Sequence, residues 1–89
     1  MKSKNNKQVA PKWFKGMIYS QGEEVINPFT GQEFYLNGLE LSIYDFIIGS
    51  QNVFEMAPKT VTPKQVMDFQ KALTWFRKNN VEAYMVLLD

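Results

Sequence analysis

The sequence contains no cysteine and no histidine. Without cysteine the chain can form no disulfide, no thiolate metal site and no cysteine nucleophile. Without histidine it lacks the most common general base and metal ligand, so Ser–His–Asp catalysis within the chain is excluded. Small secreted domains usually carry disulfides, and their absence favours a reducing compartment. We therefore expect a cytoplasmic protein that holds no metal and no cofactor.

Long apolar runs and phosphate-binding loops are also missing. No apolar stretch approaches the ~20 residues of a membrane span, and no apolar segment of the kind found in signal peptides follows the basic N-terminus. The five glycines are scattered and form no phosphate-binding loop. Glu23 and Glu24 are adjacent and face opposite ways in a strand, while Asp45 and Asp68 lie on separate predicted helices. The sequence therefore indicates no acid pair that converges on a cleft, and we predict that the chain is not an enzyme. Because it has no apolar run long enough to span a membrane, we also predict no membrane partner.

The length, aromatic content and charge of the chain indicate one small domain with an uneven charge distribution. The 89 residues suffice for a single domain, and an aromatic fraction of 15% supplies bulk for its core. Residues 1–15 carry five lysines and no acid, whereas residues 16–89 carry five basic and nine acidic residues, a net charge of −4. We predict a basic, flexible N-terminal arm over residues 1–12 and a compact domain over residues 13–89, beginning at Trp13-Phe14.

The first half of that domain predicts a β-hairpin. Two strand-like runs, Glu24-Val25-Ile26 and residues 33–36, flank a loop from Asn27 to Gln32. In that loop Pro28 fixes φ and Gly31 permits a positive φ, so the loop is longer than two residues. The short apolar run Met17-Ile18-Tyr19 between glycines predicts a further short strand.

The second half predicts helices. Apolar residues from Leu39 to about Met56 recur at helical spacing, with Gly49 as a point where the helix ends early. Thr62, Pro63 and Gln65 form the start of a second helix that continues to about Lys78. Its apolar stripe consists of Val66, Phe69, Leu73 and Phe76. Residues 81–88 fit a short helix, with a buried strand as the alternative. The fold class is therefore α+β, a small antiparallel hairpin packed on two or three helices.

Four side chains are candidate protein contacts. Trp75 lies off the apolar stripe of its helix, and its alternative role is burial beneath Trp13-Phe14 or the C-terminal helix. Phe29 occupies the tip of the hairpin loop, where it either folds back or faces a partner. Leu41, Tyr44 and Ile48 form an apolar group apart from the main face of their helix, and Tyr44 and Ile48 are the candidate contacts within it. The hairpin covers this group, or it forms the interface of a homodimer.

The lysine-rich arm suggests a second function class, nucleic-acid binding. Lysines neutralise phosphates and an aromatic ring stacks on bases. The candidate anion contacts are Lys2, Lys4, Lys7, Lys12, Trp13 and Lys15. The alternative is a solubilising tail anchored by Trp13. The only arginine of the chain lies outside the arm, which disfavours specific base recognition.

Three strings carry a resemblance to known proteins. Asn27-Pro28-Phe29-Thr30-Gly31, the run from Ile43 to Ile47 (IYDFI) and the ending from Glu82 to Asp89 (EAYMVLLD) resemble short uncharacterised proteins of tailed bacteriophages. The resemblance implies a viral origin and expression in a bacterial cytoplasm, and it implies no activity. We expect a non-enzymatic protein–protein interaction module, a phage accessory protein that binds a host protein, a virion protein or a second copy of itself. Nucleic-acid binding through the arm is the alternative.

Overall fold

A computed structural model describes residues 8–88 and confirms the α+β fold class. A two-stranded antiparallel hairpin is followed by three helices. The elements in chain order are β1 (Glu23–Ile26), β2 (Glu33–Leu36), α1 (Gly38–Met56), a 3-10 turn (Pro58–Thr60), α2 (Pro63–Asn79) and α3 (Val81–Ala83), which continues as a π-helical turn (Tyr84–Leu88). None of the helices within residues 8–88 combines the length and apolar character needed to cross a bilayer.

The hairpin has one face on the core and one in solvent. Val25 pairs with Phe34 across the strands, and these residues and the fully buried Leu36 point inward. The intervening positions are exposed, as the alternation of side chains along a strand requires. The predicted hairpin with a loop of more than two residues is confirmed.

Both long helices begin with a capping box. In α1 the Asn37 side chain accepts from the backbone N–H of Glu40, while the Glu40 carboxylate accepts from the backbone N–H of Asn37. Thr62 and Gln65 form the same reciprocal pair in α2, as predicted. Helix α1 does not end at Gly49 but continues to Met56. The expected early end is wrong because the residues after Gly49 keep their helical hydrogen bonds and pack on α2, where the Phe54 and Phe69 rings lie 5.2 Å apart.

The buried side of α2 is rotated from the predicted stripe. Its buried residues are Ala72, Trp75 and Phe76, whereas Val66 is 37% exposed. The N-terminal segment, which we define as residues 8–22, reaches the Trp75 side of the helix, where the Trp75 indole N–H donates to the carbonyl of Val9 at 3.4 Å. Burial therefore follows the segment that covers the helix, which periodicity within α2 cannot show.

The C-terminal residues are helical, so the strand alternative is wrong. The Asn80 side chain accepts from the backbone N–H of Ala83 and caps α3. The following π-helical turn buries Leu87 against the core. Together with Leu36 of the hairpin and Ile43, Ile47 and Phe76 of the long helices, this turn closes a single hydrophobic core.

The N-terminal segment lies along α1 without regular secondary structure. The strand predicted at residues 17–19 is wrong, because the backbone N–H of Tyr19 donates to the Ser42 hydroxyl at 2.8 Å and not to another strand. Gln8 already contacts the body through Glu40 and Asn37. The predicted boundary at residue 12 therefore falls within a segment that packs on the domain, and residues 1–7 of the predicted arm lie outside the described residues.

A candidate protein-binding surface around Phe29

The loop that carries Phe29 is built around the side chain of Asn27, which is 8% exposed. Its Oδ1 accepts from the backbone N–H groups of Phe29 at 2.8 Å and Thr30 at 3.2 Å. Its Nδ2 donates to the carbonyl of Val86 at 2.9 Å. That carbonyl lies in the last turn of the C-terminal helix, where carbonyls lack helical donors. One buried amide thus organises the loop and joins it to the C-terminal helix.

Backbone hydrogen bonds complete the loop. The N–H of Asn27 donates to the carbonyl of Gln32 and the N–H of Gly31 donates to the carbonyl of Asn27, both at 2.8 Å. Gly31 adopts a φ of +79°, a left-handed conformation that a side chain disfavours. Pro28 adds its fixed φ to this framework. The conformation of the loop is therefore determined by its own residues and does not depend on the Phe29 ring.

Phe29 itself is 94% exposed at the tip of this loop. Of the two orientations that the sequence left open, the structure shows the ring facing solvent. A large exposed aromatic side chain on a hydrogen-bonded loop loses little conformational freedom when it binds. Exposed aromatic side chains of this kind are typical anchor residues of protein interfaces, which makes Phe29 a candidate contact.

Two cavities flank Phe29 and bring the other candidates together. The smaller, of about 230 Å³, lies between the loop, α1 and the C-terminal turn. Its lining residues are Asn27, Pro28, Phe29, Tyr44, Ile48, Gln51, Leu87 and Leu88. The larger, of about 600 Å³, shares Pro28, Phe29, Ile48 and Gln51 and extends to Asn52, Phe54 and Glu55. Phe29 therefore stands as a ridge between two hollows, and we call this combined area the Phe29 surface.

The walls of the Phe29 surface are mainly apolar and amide in character. Tyr44 and Ile48 are half-buried, so the hairpin loop covers the predicted apolar group of α1 only in part, while Leu41 of that group is buried. Burial raises the pKa of the Tyr44 phenol above its usual value, and the Asp45 carboxylate adds a smaller effect in the same direction. Tyr44 is therefore a neutral wall at physiological pH, suited to apolar contact.

Trp75 does not belong to the Phe29 surface. It is 9% exposed and packs edge-to-face with Phe76 at 5.5 Å. The alternative stated for it, coverage by the chain itself, is what the structure shows. The prediction that Trp75 contacts a partner is therefore corrected, because the N-terminal segment and the core leave only a small part of its indole at the surface.

The predicted anion contacts divide into two groups. Lys12 and Lys15 are exposed, whereas Trp13 packs against Phe14 and Phe46 at ring distances of 5.9 and 5.7 Å. These ring contacts match the anchoring role considered for Trp13. Lys2, Lys4 and Lys7 lie outside the described residues, so nucleic-acid binding by the arm stays a prediction.

Several members of the Phe29 surface could not be found by sequence reasoning. Gln51, Leu87 and Leu88 meet the loop only through tertiary packing, and no local pattern links them to residue 29. The capping box of Asn37 and Glu40, by contrast, has a readable signal in the spacing N-x-x-E before an apolar run.

Comparison with known proteins identifies no relative. No protein-family model matches the chain. No curated protein and no solved structure matches it either.

Proposed function

We propose that this chain is a non-enzymatic protein-binding module that acts as a phage accessory protein in the bacterial cytoplasm and contacts its partner through the Phe29 surface. The observation that carries the proposal is the 94% exposure of Phe29 on a loop fastened by the buried Asn27. A phenylalanine ring in water forgoes roughly 2–3 kcal/mol of burial free energy. A loop built to hold the ring outward supports a role in binding.

The chemistry of the surface indicates the kind of partner. Of the residues lining the two cavities, Glu55 alone carries a charge. A partner that fits must offer an apolar pocket for the Phe29 ring and apolar side chains for the hollows beside it. Because Phe29 is the protruding element, we assign it the role of anchor, with Tyr44 and Ile48 as the walls that exclude water around it.

Site-specific photocrosslinking tests this proposal. The photoreactive amino acid p-benzoylphenylalanine is placed at position 29, or at the matched control position 17, in cells that naturally contain the protein. Met17 is suited to this control because it is 83% exposed and lies on the N-terminal segment, away from the Phe29 surface. We expect one protein to crosslink at position 29 and not at position 17. Equal crosslinking at both positions would contradict a specific surface.

The crosslinked protein is then purified and its affinity measured with substituted chains. We expect Phe29→Ala to weaken binding by more than ~10-fold, because anchor residues carry most of the interface free energy. Met17→Ala should leave the affinity within about twofold. If both substitutions leave the affinity unchanged, Phe29 is not the anchor and the proposal is wrong.

A further inference from the structure

A groove that shares no residue with the Phe29 surface carries only positive charge. It lies between the N-terminal segment and α2, has a volume of about 490 Å³ and contains no carboxylate in its lining. The lining residues are Trp13, Met67, Gln70, Lys71, Thr74, Trp75, Lys78 and Asn79. Lys71 and Lys78 are exposed and seven residues apart, so they lie on one side of α2 at a separation of ~10 Å. We call this the lysine groove.

The outer face of the hairpin has the complementary chemistry. Glu24 pairs with Tyr35 and Ile26 pairs with Glu33 across the strands, and all four side chains are exposed. Ile26 and Tyr35 are each 56% exposed, so two apolar side chains alternate with two carboxylates. A hydrogen bond and charge repulsion from Glu33 raise the pKa of the Glu24 carboxyl above its usual value. Within residues 8–88 the one ion pair joins Lys64 to Asp68, so these carboxylates have no cation beside them.

Within residues 8–88 no ion pair joins the hairpin face to the lysine groove of the same chain. Both are exposed at the same time in the folded monomer: β1 and β2 form the hairpin, and the lysine groove lies on α2 and the N-terminal segment. Among the described residues, the Glu24–Glu33 pair has no cation partner and the Lys71–Lys78 pair has no carboxylate partner, so both are available to a second molecule. Their apolar neighbours, Tyr35 and Ile26 on one side and Met67 and Trp13 on the other, supply area for burial.

We propose that the outer face of the hairpin of one copy docks into the lysine groove of a second copy. The Glu24–Glu33 pair then lies between Lys71 and Lys78, and Tyr35 packs over Met67. The contact is heterologous, because two different surfaces meet, so each copy retains a free groove or a free hairpin for another molecule. This contact does not use the Phe29 surface and is independent of the proposed function.

The lysine groove is poorly suited to single-stranded nucleic acid. Base stacking requires open aromatic faces, yet Trp75 is 9% exposed and Trp13 is engaged by Phe14 and Phe46. No arginine lines the groove, although arginine is the preferred reader of phosphates and bases. The exposed Met67 suits an apolar protein contact.

Sedimentation velocity over a range of concentrations tests the contact in the full chain. We expect concentration-dependent self-association at low salt that weakens as ionic strength rises. The groove variant, Lys71→Glu with Lys78→Glu, should weaken self-association by roughly tenfold or more, as should the hairpin variant, Glu24→Lys with Glu33→Lys. The control variant, Lys15→Glu with Lys59→Glu, has the same net charge as the groove variant and should associate like the wild type.

Mixing the two variants gives the decisive result. The groove variant retains an acidic hairpin and the hairpin variant retains a lysine groove, so an equimolar mixture should recover association that neither shows alone. A wild type that stays monomeric at every concentration, or a mixture that stays monomeric, overturns the proposal. So does self-association that Phe29→Ala abolishes, which would assign the dimer to the Phe29 surface. Binding of a labelled oligothymidylate by monomeric wild type, lost in the groove variant alone, would assign the groove to nucleic acid and overturn it as well.

Discussion

At the scale of the residue, buried polar side chains hold distant segments together. Glu40 is 2% exposed and accepts hydrogen bonds from Gln8 at 2.7 Å, Asn80 at 2.9 Å and the backbone of Asn37 at 2.9 Å. One carboxylate thus joins the N-terminal segment, the start of α1 and the start of α3. Among residues 8–88 its donors are neutral and no lysine or arginine pairs with it, so burial of the carboxylate is compensated by these hydrogen bonds.

Glu40→Gln should destabilise the fold. The amide replaces one acceptor oxygen by a donor that faces other donors, which leaves at least one buried group unsatisfied at a cost of about 1–3 kcal/mol. Urea denaturation of wild type and variant measures the change. The exposed Glu55→Gln is the matched control and should change the unfolding free energy by less than about 0.5 kcal/mol. Equal effects of the two substitutions would show that the carboxylate of Glu40 is not a structural centre.

Asn27→Ala should also destabilise the protein, by about 1–3 kcal/mol, because it removes the side-chain partners of two loop N–H groups and of the Val86 carbonyl. The control is Gln32→Ala, an exposed position in the same loop, with an expected change below about 0.5 kcal/mol. Thermal and urea unfolding give both values. A variant as stable as the wild type would mean that the loop does not depend on the Asn27 amide.

At the scale of the element, two glycines have different roles: one lies in a helix with open space around it, and the other lies where two segments pack closely. Gly49 lies inside α1, and a Cβ there would meet no atom within 4 Å. A Cβ at Gly22 would overlap the carbonyl oxygen of Leu36. The two positions therefore respond in opposite ways to the same substitution.

We expect Gly49→Ala to stabilise the protein by about 0.5–1 kcal/mol, since alanine loses less backbone entropy in a helix. Gly22→Ala should lower the unfolding free energy, because the N-terminal segment must move away from β2. Chemical denaturation of both variants provides the comparison. Destabilisation by Gly49→Ala would show that α1 is bent or interrupted at this position.

The proximity of Glu24 and Glu33 in the hairpin leads us to expect that the stability of the fold depends on pH. The folded-state pKa of Glu24 is raised by Glu33, so its contribution to stability is present below its ordinary pKa and is lost as pH rises through the raised value. Glu33→Gln removes the repulsion. We expect the variant to have a higher Tm than the wild type at pH 7, with the two values converging in acid and the difference shrinking in high salt. A Tm difference that is the same at acidic and neutral pH would contradict this coupling.

At the scale of the whole molecule, charge divides along the chain. Residues 23–56, the hairpin and α1, carry six acidic and no basic residues, whereas the N-terminal segment and α2 carry six basic residues and one acid. The acidic charge of the body is therefore concentrated in the hairpin and α1, and α2 is basic like the N-terminal segment.

Local signals explain how much of this architecture the sequence could predict. The hairpin loop and the Thr62 capping box were predicted because their hydrogen bonds join residues within a few positions of each other. Trp75 was named as a candidate contact, but it is 9% exposed and its indole N–H donates to the carbonyl of Val9, 66 positions away in the chain. The Phe29 surface follows the same rule: the exposed tip was a local prediction, and the hollows beside it depend on the C-terminal turn.

If the loop holds Phe29 in a preformed conformation, the backbone of the loop must be rigid on the picosecond-to-nanosecond timescale, which ¹⁵N relaxation measures. The N–H groups of Phe29 and Thr30 both donate to the Asn27 side chain, so we predict order parameters of ~0.85, equal to those of the helices. Order parameters below ~0.6 at these residues would describe a flexible loop and would rule out a preformed Phe29 anchor.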